Sequence, residues 1–281
     1  MRLSISNIAW TPEERIASYD AMCELGVTGL EIAPGLFFHQ ADDPFLPSMD
    51  VAELALSEIR ERGLELVSMQ SLLFGVTDAG LFQEPEQRAN LELGMDRAIA
   101  LAGRFGIPNL VFGSPGQRRV PEVLSMKQAL DEAAEVFYNF AVAAQRAGTK
   151  IAIEANPDAY GTNFLNTLDE ALNFVELVDH PAIVVILDLG TMHMNGDFST
   201  TPSRIPALLP RLNHVHVSEP NLAPAPRDTA ALVPVLKALR RAAYDKSVSI
   251  EMKRPADGVA GVRAALERLT TASRKTSYPN E

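Results

Sequence analysis

Four short apolar runs in this chain end in, or carry, a side chain able to ligate a metal. Lys150-Ile151-Ala152-Ile153 leads into Glu154, Val184-Val185-Ile186-Leu187 into Asp188, and Ser247-Val248-Ser249-Ile250 into Glu251. The fourth, Leu212–Glu219, carries His214 and His216. Successive runs lie roughly thirty residues apart, about one strand plus one helix. Parallel strands delivering Glu, Asp, His and Glu to one end of a sheet would build a site for a divalent cation. Three carboxylates gathered without a cation repel one another and titrate upward, a cost that a cation removes. Taken singly, an acid just after a strand is ordinarily a helix cap or loop residue, and a lone histidine a hydrogen-bonded core residue. Four candidates at the same end of consecutive strands are harder to attribute to chance.

Alternate residues of a strand face opposite sides. Ile151 and Ile153 share one face, Ala152 and Glu154 the other; Val215 and Val217 oppose His214 and His216. Val248 and Ile250 oppose Ser249 and Glu251, and Leu30 and Ile32 oppose Gly29, Glu31 and Ala33. With the bulky residues packed outward against helices, Glu154, His216, Glu251 and Glu31 point to one interior. The run ending in Asp188 is apolar on both faces, so its parity stays open.

The elements that must hold these residues alternate along the whole chain. Strands are predicted at Leu3–Ala9, Gly29–Pro34, Leu64–Gln70 and Asn109–Ser114, ahead of the four runs above. Helices are predicted from Thr11-Pro12 to Gly26, over Val51–Arg62, Pro85–Phe105 and Ser125–Ala147, then near Thr167–Val178, Ser203–Leu209, Ala230–Ala242 and Gly258–Leu269. Thr11-Pro12-Glu13-Glu14 has the form of a helix start, and Gly63, Gly106 and Gly148 are stop signals. Eight strand–helix units in about 270 residues fit a closed (β/α)₈ TIM barrel better than an open doubly wound sheet. Residues 1–270 read as one barrel domain and 271–281 as a polar tail. No Gly-x-Gly-x-x-Gly follows a strand to suggest a dinucleotide site.

The bulk numbers narrow the partners. A net charge of −11 opposes a nucleic-acid surface, which works by neutralising phosphate with Lys and Arg. No apolar run approaches the eighteen or so residues of a membrane span, and Met1–Ser6 does not open like a signal peptide. Cys23 is the single cysteine, which excludes an intramolecular disulfide and suggests a reducing, cytoplasmic setting. Its place between Met22 and Leu25 in a helical pattern predicts packing.

At these residues the chain resembles the sugar phosphate isomerase/epimerase superfamily, the xylose-isomerase-like barrels that include ketose 3-epimerases, inosose dehydratase and an apurinic endonuclease. The segments that carry the likeness are Ile153-Glu154-Ala155-Asn156, Phe164-Leu165-Asn166-Thr167, Leu187-Asp188 through His193-Met194-Asn195, His214-Val215-His216 and Ile250-Glu251. The resemblance implies metal ligation by Glu154, Asp188, His216 and Glu251, with Glu154 and Glu251 also forming the acid/base pair. The epimerases carry a substrate-binding histidine three residues after the metal aspartate. Here that position is Thr191, with His193 two residues on, so either takes that place. Tyr160 and Leu222 stand where those epimerases carry a glutamate and an arginine, which implies altered substrate recognition. The endonuclease branch uses several more histidines than the five in this chain.

Three carboxylates and one imidazole suit Mn²⁺ or Mg²⁺ first, and Co²⁺ or Zn²⁺ next. The expected activity is a divalent-metal-dependent isomerase or epimerase acting on a keto-sugar or polyol by proton transfer through a metal-stabilised enediolate. His193, Glu31 and Arg118 are the expected substrate contacts, Arg118 as a binder of a phosphate or carboxylate or else as a solvated loop residue. The alternatives are a metal-dependent lyase of a keto-polyol, like inosose dehydratase, and a metal-binding barrel without catalysis. Superfamily members are often dimers or tetramers, which leaves either open for this chain.

Overall fold

Alternating strand and helix signals resolve, in a computed structural model describing residues 1–276, into eight parallel strands closed in sequence order as a (β/α)₈ barrel. These are β1 Arg2–Ser6, β2 Gly29–Ile32, β3 Glu65–Met69, β4 Asn109–Phe112, β5 Lys150–Ile153, β6 Ile183–Asp188, β7 Leu212–Ser218 and β8 Ser247–Glu251. The chain forms two compact units, Met1–Val67 with the chain from Asp188 onward, and Ser68–Leu187.

In the first unit β1 pairs with β2 and with β8, and β8 with β7. The register sets Ser4 beside Gly29 and Ser249, Ser249 beside His216, Ser6 beside Glu31, and Ser218 beside Glu251. Register partners on parallel strands share a face, so this inner surface is built of small and polar groups. In the second unit β5 lies between β4 and β6 and sets Val111, Ala152 and Val184 in one row. With Ile186 these form a buried apolar cluster. Val184 and Ile186 share parity with Asp188, which settles the face of β6 that the sequence left open. On the opposite face Phe112 meets Phe137 of helix Met126–Ala147 edge to face at 4.9 Å, and Phe137 meets Phe174 of helix Leu168–Val178 at 5.4 Å. Each such fully buried ring contributes about 1.5–3 kcal/mol relative to exposure.

Local chemistry explains most boundaries. Ser125 and Thr167 cap the helices that follow them in reciprocal capping boxes with Gln128 and Glu170. β1 ends at Ser6, three residues before the predicted Ala9, because the Ser6 hydroxyl accepts the Ile8 N–H and turns the chain into a 3-10 helix over Asn7–Ala9. Two short helices, Pro34–Phe37 and Leu189–Met194, occupy stretches read from sequence as strand end and loop. The last helix runs Val259–Arg274, past the predicted start of the tail at 271, and buries Ala272 and Ser273. The remainder of that tail, 277–281, lies outside the described residues. Cys23, expected to pack, is exposed. Among the described residues no helix is long and apolar enough to cross a membrane.

Candidate metal centre

The first unit supplies an imidazole with two distinct ends. His216, in β7, is fully buried, and its Nε2 lies 3.0 and 3.1 Å from the two carboxylate oxygens of Glu31 on β2. Its Nδ1 lies 3.2 Å from Glu251 Oε2 and 3.8 Å from Asp188 Oδ2. An ionised carboxylate only accepts hydrogen bonds, so the contact with Glu31 assigns a proton to Nε2, and Nδ1 is the ring nitrogen turned toward Glu251 and Asp188. A carboxylate behind a histidine is a recurrent brace for metal-ligating imidazoles. Burial pushes the Glu31 carboxyl up, but the charges of His216 and His214, with their hydrogen bonds, hold it well below the usual carboxylate range. His214 Nε2 lies 2.9 Å from Glu31 Oε2, and the two imidazoles meet edge to face at 5.2 Å.

Asp188 is placed by the helix it begins. Its Oδ1 accepts the Thr191 N–H at 2.5 Å as N-cap of Leu189–Met194, where the helix N-terminus favours a negative charge. Its Oδ2 accepts the Ser218 hydroxyl at 2.5 Å, while Ser218 Oγ accepts the Gly190 N–H at 2.8 Å. Glu251 closes β8 at 8% exposure.

The second unit contributes Glu154, half-buried just past the end of β5. Its Oε2 accepts from Asn156 Nδ2 at 2.9 Å. A Cβ at Gly113, just after β4, would stand 2.5 Å from that oxygen and push the carboxylate aside.

Asp188, His216 and Glu251 of the first unit each offer one donor atom, within 4.8 Å of one another. A six-coordinate cation with donors at about 2.1 Å holds neighbouring donors about 3 Å apart. The separations around His216 Nδ1 are at that spacing or a little above it. Glu31, His214 and His216 form a second group of donors, but there the carboxylate lies at hydrogen-bond distance from the imidazole nitrogens.

The three residues expected to touch substrate are placed differently from one another. Glu31 is 0% exposed and faces two histidines, so its contacts are those of a brace. Arg118 is also 0% exposed; it donates from Nη2 to Asn156 Oδ1 at 2.9 Å, which corrects the solvated-loop alternative. Burial lowers its pKa to about 10 against the pull of Glu154, so it stays charged near neutrality. His193 is part-exposed, stacks on Phe198 with centroids 3.8 Å apart, and lines a cavity of about 410 Å³ with Leu189, Glu219, Arg227 and Asp228. Thr191 is buried and spends its N–H on Asp188, which favours His193 as the residue facing open space. Sequence reasoning assigned no role to Asn156 or Ser218. Ser218 has the parity of His214 and His216, a signal that was there to read; Asn156 had none beyond standing two residues after Glu154.

The chain belongs to the xylose isomerase-like TIM barrel family, whose model matches residues 19–272. Among solved structures it is similar to 3-keto-D-glucoside 4-epimerase from E. coli, at 20% identity over 98% of this chain and 99% of that one, TM-score 0.73. It is also similar to D-psicose 3-epimerase from Clostridium cellulolyticum H10, at 18% identity over 98% and 96%, TM-score 0.69. An L-ribulose 3-epimerase is similar at 16% identity over 100% and 99%, TM-score 0.73. At these identities the likeness establishes the fold. No curated protein sequence matches the chain.

Proposed function

We propose that this protein is a divalent-metal-dependent epimerase or isomerase of keto-sugars or their glycosides, with Glu154, Asp188, His216 and Glu251 as ligands of one Mn²⁺ or Mg²⁺ ion. The observation that carries the reading is the orientation of His216: Nε2 is engaged by Glu31, and Nδ1, the nitrogen that would ligate, faces two carboxylates. Support also comes from the three convergent donors of the first unit and from three sugar epimerases of the same fold. Once bound, the cation supplies Lewis acidity toward adjacent carbonyl and hydroxyl oxygens of a substrate.

The chain's own residues move the protons. Glu251 takes the proton from the carbon beside the carbonyl, and the electron pair of the broken C–H bond passes into the carbonyl to give an enediol(ate). Glu154 relays a proton from water to the same carbon from the other face, giving the epimer, or to the former carbonyl carbon while the enediol's hydroxyl proton passes to the former carbonyl oxygen, giving the isomer. Exchange with water then resets both carboxyls. His193, beside its cavity, binds a substrate oxygen.

The test is to incubate the manganese-loaded protein with keto-sugars and 3-keto-glycosides in heavy water and follow the carbon-bound protons by NMR. Deuterium at the carbon beside the carbonyl, with an epimer or isomer formed, is the expected result. An ultraviolet-absorbing enone without an epimer would make the protein a lyase. No deuterium in any substrate would remove the catalytic reading.

A further inference from the structure

We infer that Arg118 and Asn156 are positioning residues for Glu154, forming a one-way hydrogen-bond relay that fixes the orientation of its carboxylate; this rests on the role proposed for Glu154. A guanidinium can only donate. Because Arg118 Nη2 donates to Asn156 Oδ1 at 2.9 Å, the Asn156 amide has one allowed orientation, with Nδ2 toward Glu154. Nδ2 then donates to Glu154 Oε2 at 2.9 Å and to the Ala155 carbonyl at 3.2 Å.

The middle of the relay is fixed in the backbone as well. The Asn156 N–H donates to the Leu165 carbonyl at 3.1 Å, and its own carbonyl accepts from Asn166 Nδ2 at 2.8 Å. Oε2 of Glu154 thus sits between an oriented amide and the bare Cα of Gly113. The carboxylate plane is thereby set from its Oε2 side.

Arg118 itself supplies the reason for reading this as function. Its Nε and Nη1 are buried with no hydrogen-bond partner among the described residues. A charged donor group left in that state costs stability. A side chain serving only as structural glue gains little from such a place, whereas one that must fix a neighbour's amide and offset the charge of Glu154 belongs there.

The experiment compares Arg118→Met, Arg118→Lys and Asn156→Ala with the wild type in three readouts. These are Mn²⁺ affinity from the free-ion EPR signal, kcat and KM on the substrate found in heavy water, and the thermal midpoint of the metal-free protein. Arg118→Met and Asn156→Ala are expected to weaken Mn²⁺ binding and lower kcat by about 10–100-fold, with KM within about twofold. Arg118→Lys, which keeps a donor for Asn156 Oδ1, is expected to recover most of that loss. The midpoint of Arg118→Met should equal or exceed that of the wild type. A raised KM with kcat and Mn²⁺ affinity intact would overturn the relay and make Arg118 a substrate contact; a lowered midpoint with both intact would make it structural. If Arg118→Met does not fold, Asn156→Ala carries the same comparison. Mn²⁺ binding lost in Glu154→Ala but unchanged in both relay variants overturns the relay alone. A wild type that takes up no Mn²⁺ overturns the metal reading and the relay with it.

Discussion

The two units solve opposite problems on their inner faces. In the first, β1, β2, β7 and β8 line up Ser4, Ser6, Glu31, His214, His216, Ser218, Ser249 and Glu251, each at or below 8% exposure. In the second, β4, β5 and β6 line up Val111, Ala152, Val184 and Ile186. A polar interior has to neutralise its own charges, and here an acid on one strand does so against two imidazoles on another. An apolar interior has no place for charge inside the sheet, so its polar groups stand past the strand ends. Glu154 and Asn156 follow β5, and Arg118 lies in the 3-10 turn Pro115–Arg118 after β4. One unit therefore braces a base with an acid, and the other braces an acid with an amide and a guanidinium. Each brace fixes the orientation of one side chain: the ring of His216 and the carboxylate of Glu154.

The largest effect expected from the polar face is chemical. Glu251→Gln keeps the size of the side chain but removes the proposed base, so kcat should fall by about 10²–10⁴-fold. Deuterium wash-in under saturating Mn²⁺ measures that loss, and circular dichroism should show the fold intact. Retention of most of the turnover would move the base elsewhere and reduce the polar face to a ligand set.

The next effect is on stability, and it sets the two braces against each other. Glu31→Leu strands two buried imidazoles beside a hydrocarbon, and breaking a buried ion pair from one side costs about 3–5 kcal/mol. Arg118→Met removes a charge that was poorly satisfied and leaves Glu154, which is half-buried, free to hydrate. Its cost should stay within about 1 kcal/mol of zero, since removing two buried guanidinium nitrogens that have no hydrogen-bond partner among the described residues offsets the donor lost to Asn156 Oδ1. Urea denaturation of the two variants gives both numbers. Equal losses would mean that the two braces do not differ in kind.

How much of this was legible in the sequence follows the same division. The barrel was readable because strand and helix periods alternate cleanly and Gly106 and Gly148 mark helix ends, both in left-handed conformation. Parity placed Glu31, His216 and Glu251 on one face because each lies within a strand that is bulky on its other side. It failed for β6, where both faces are apolar and only the cluster with Val111 and Ala152 shows the inward one. The partner of Glu31 was beyond reach: residues 185 positions apart meet only through the register of β2, β1, β8 and β7. The burial of Arg118 was equally hidden, because a loop arginine is buried or solvated according to the chain folded over it. Asn156 acquires a role only when both its neighbours are known.

A milder change at the same brace tests the tautomer rather than the charge. Glu31→Gln preserves volume and can still accept a proton from His216 Nε2 through its amide oxygen. The amide is neutral, so it makes the imidazole a weaker base at Nδ1. Mn²⁺ affinity should fall by about tenfold, at the low end of the range for residues behind a ligand. Competition against a fluorescent chelator measures it. An unchanged affinity would mean that Glu31 serves folding alone.

The smallest effect belongs to the apolar face and defines its limits. Ile186→Val removes one methyl group from the cluster with Val111, Ala152 and Val184, which costs about 0.5–1.5 kcal/mol for a well-packed core position. Ile186 has the parity of Asp188 and stands one step below it on β6, so a shift in packing there has a direct route to that proposed ligand. Asp188, however, is held at both oxygens, by the Thr191 N–H and the Ser218 hydroxyl, and neither bond depends on the volume at position 186. Thermal denaturation should therefore register the missing methyl while Mn²⁺ affinity and kcat stay within twofold of the wild type. A tenfold loss of affinity would show that the apolar row positions the site as firmly as the polar one, and the contrast between the two faces would no longer hold.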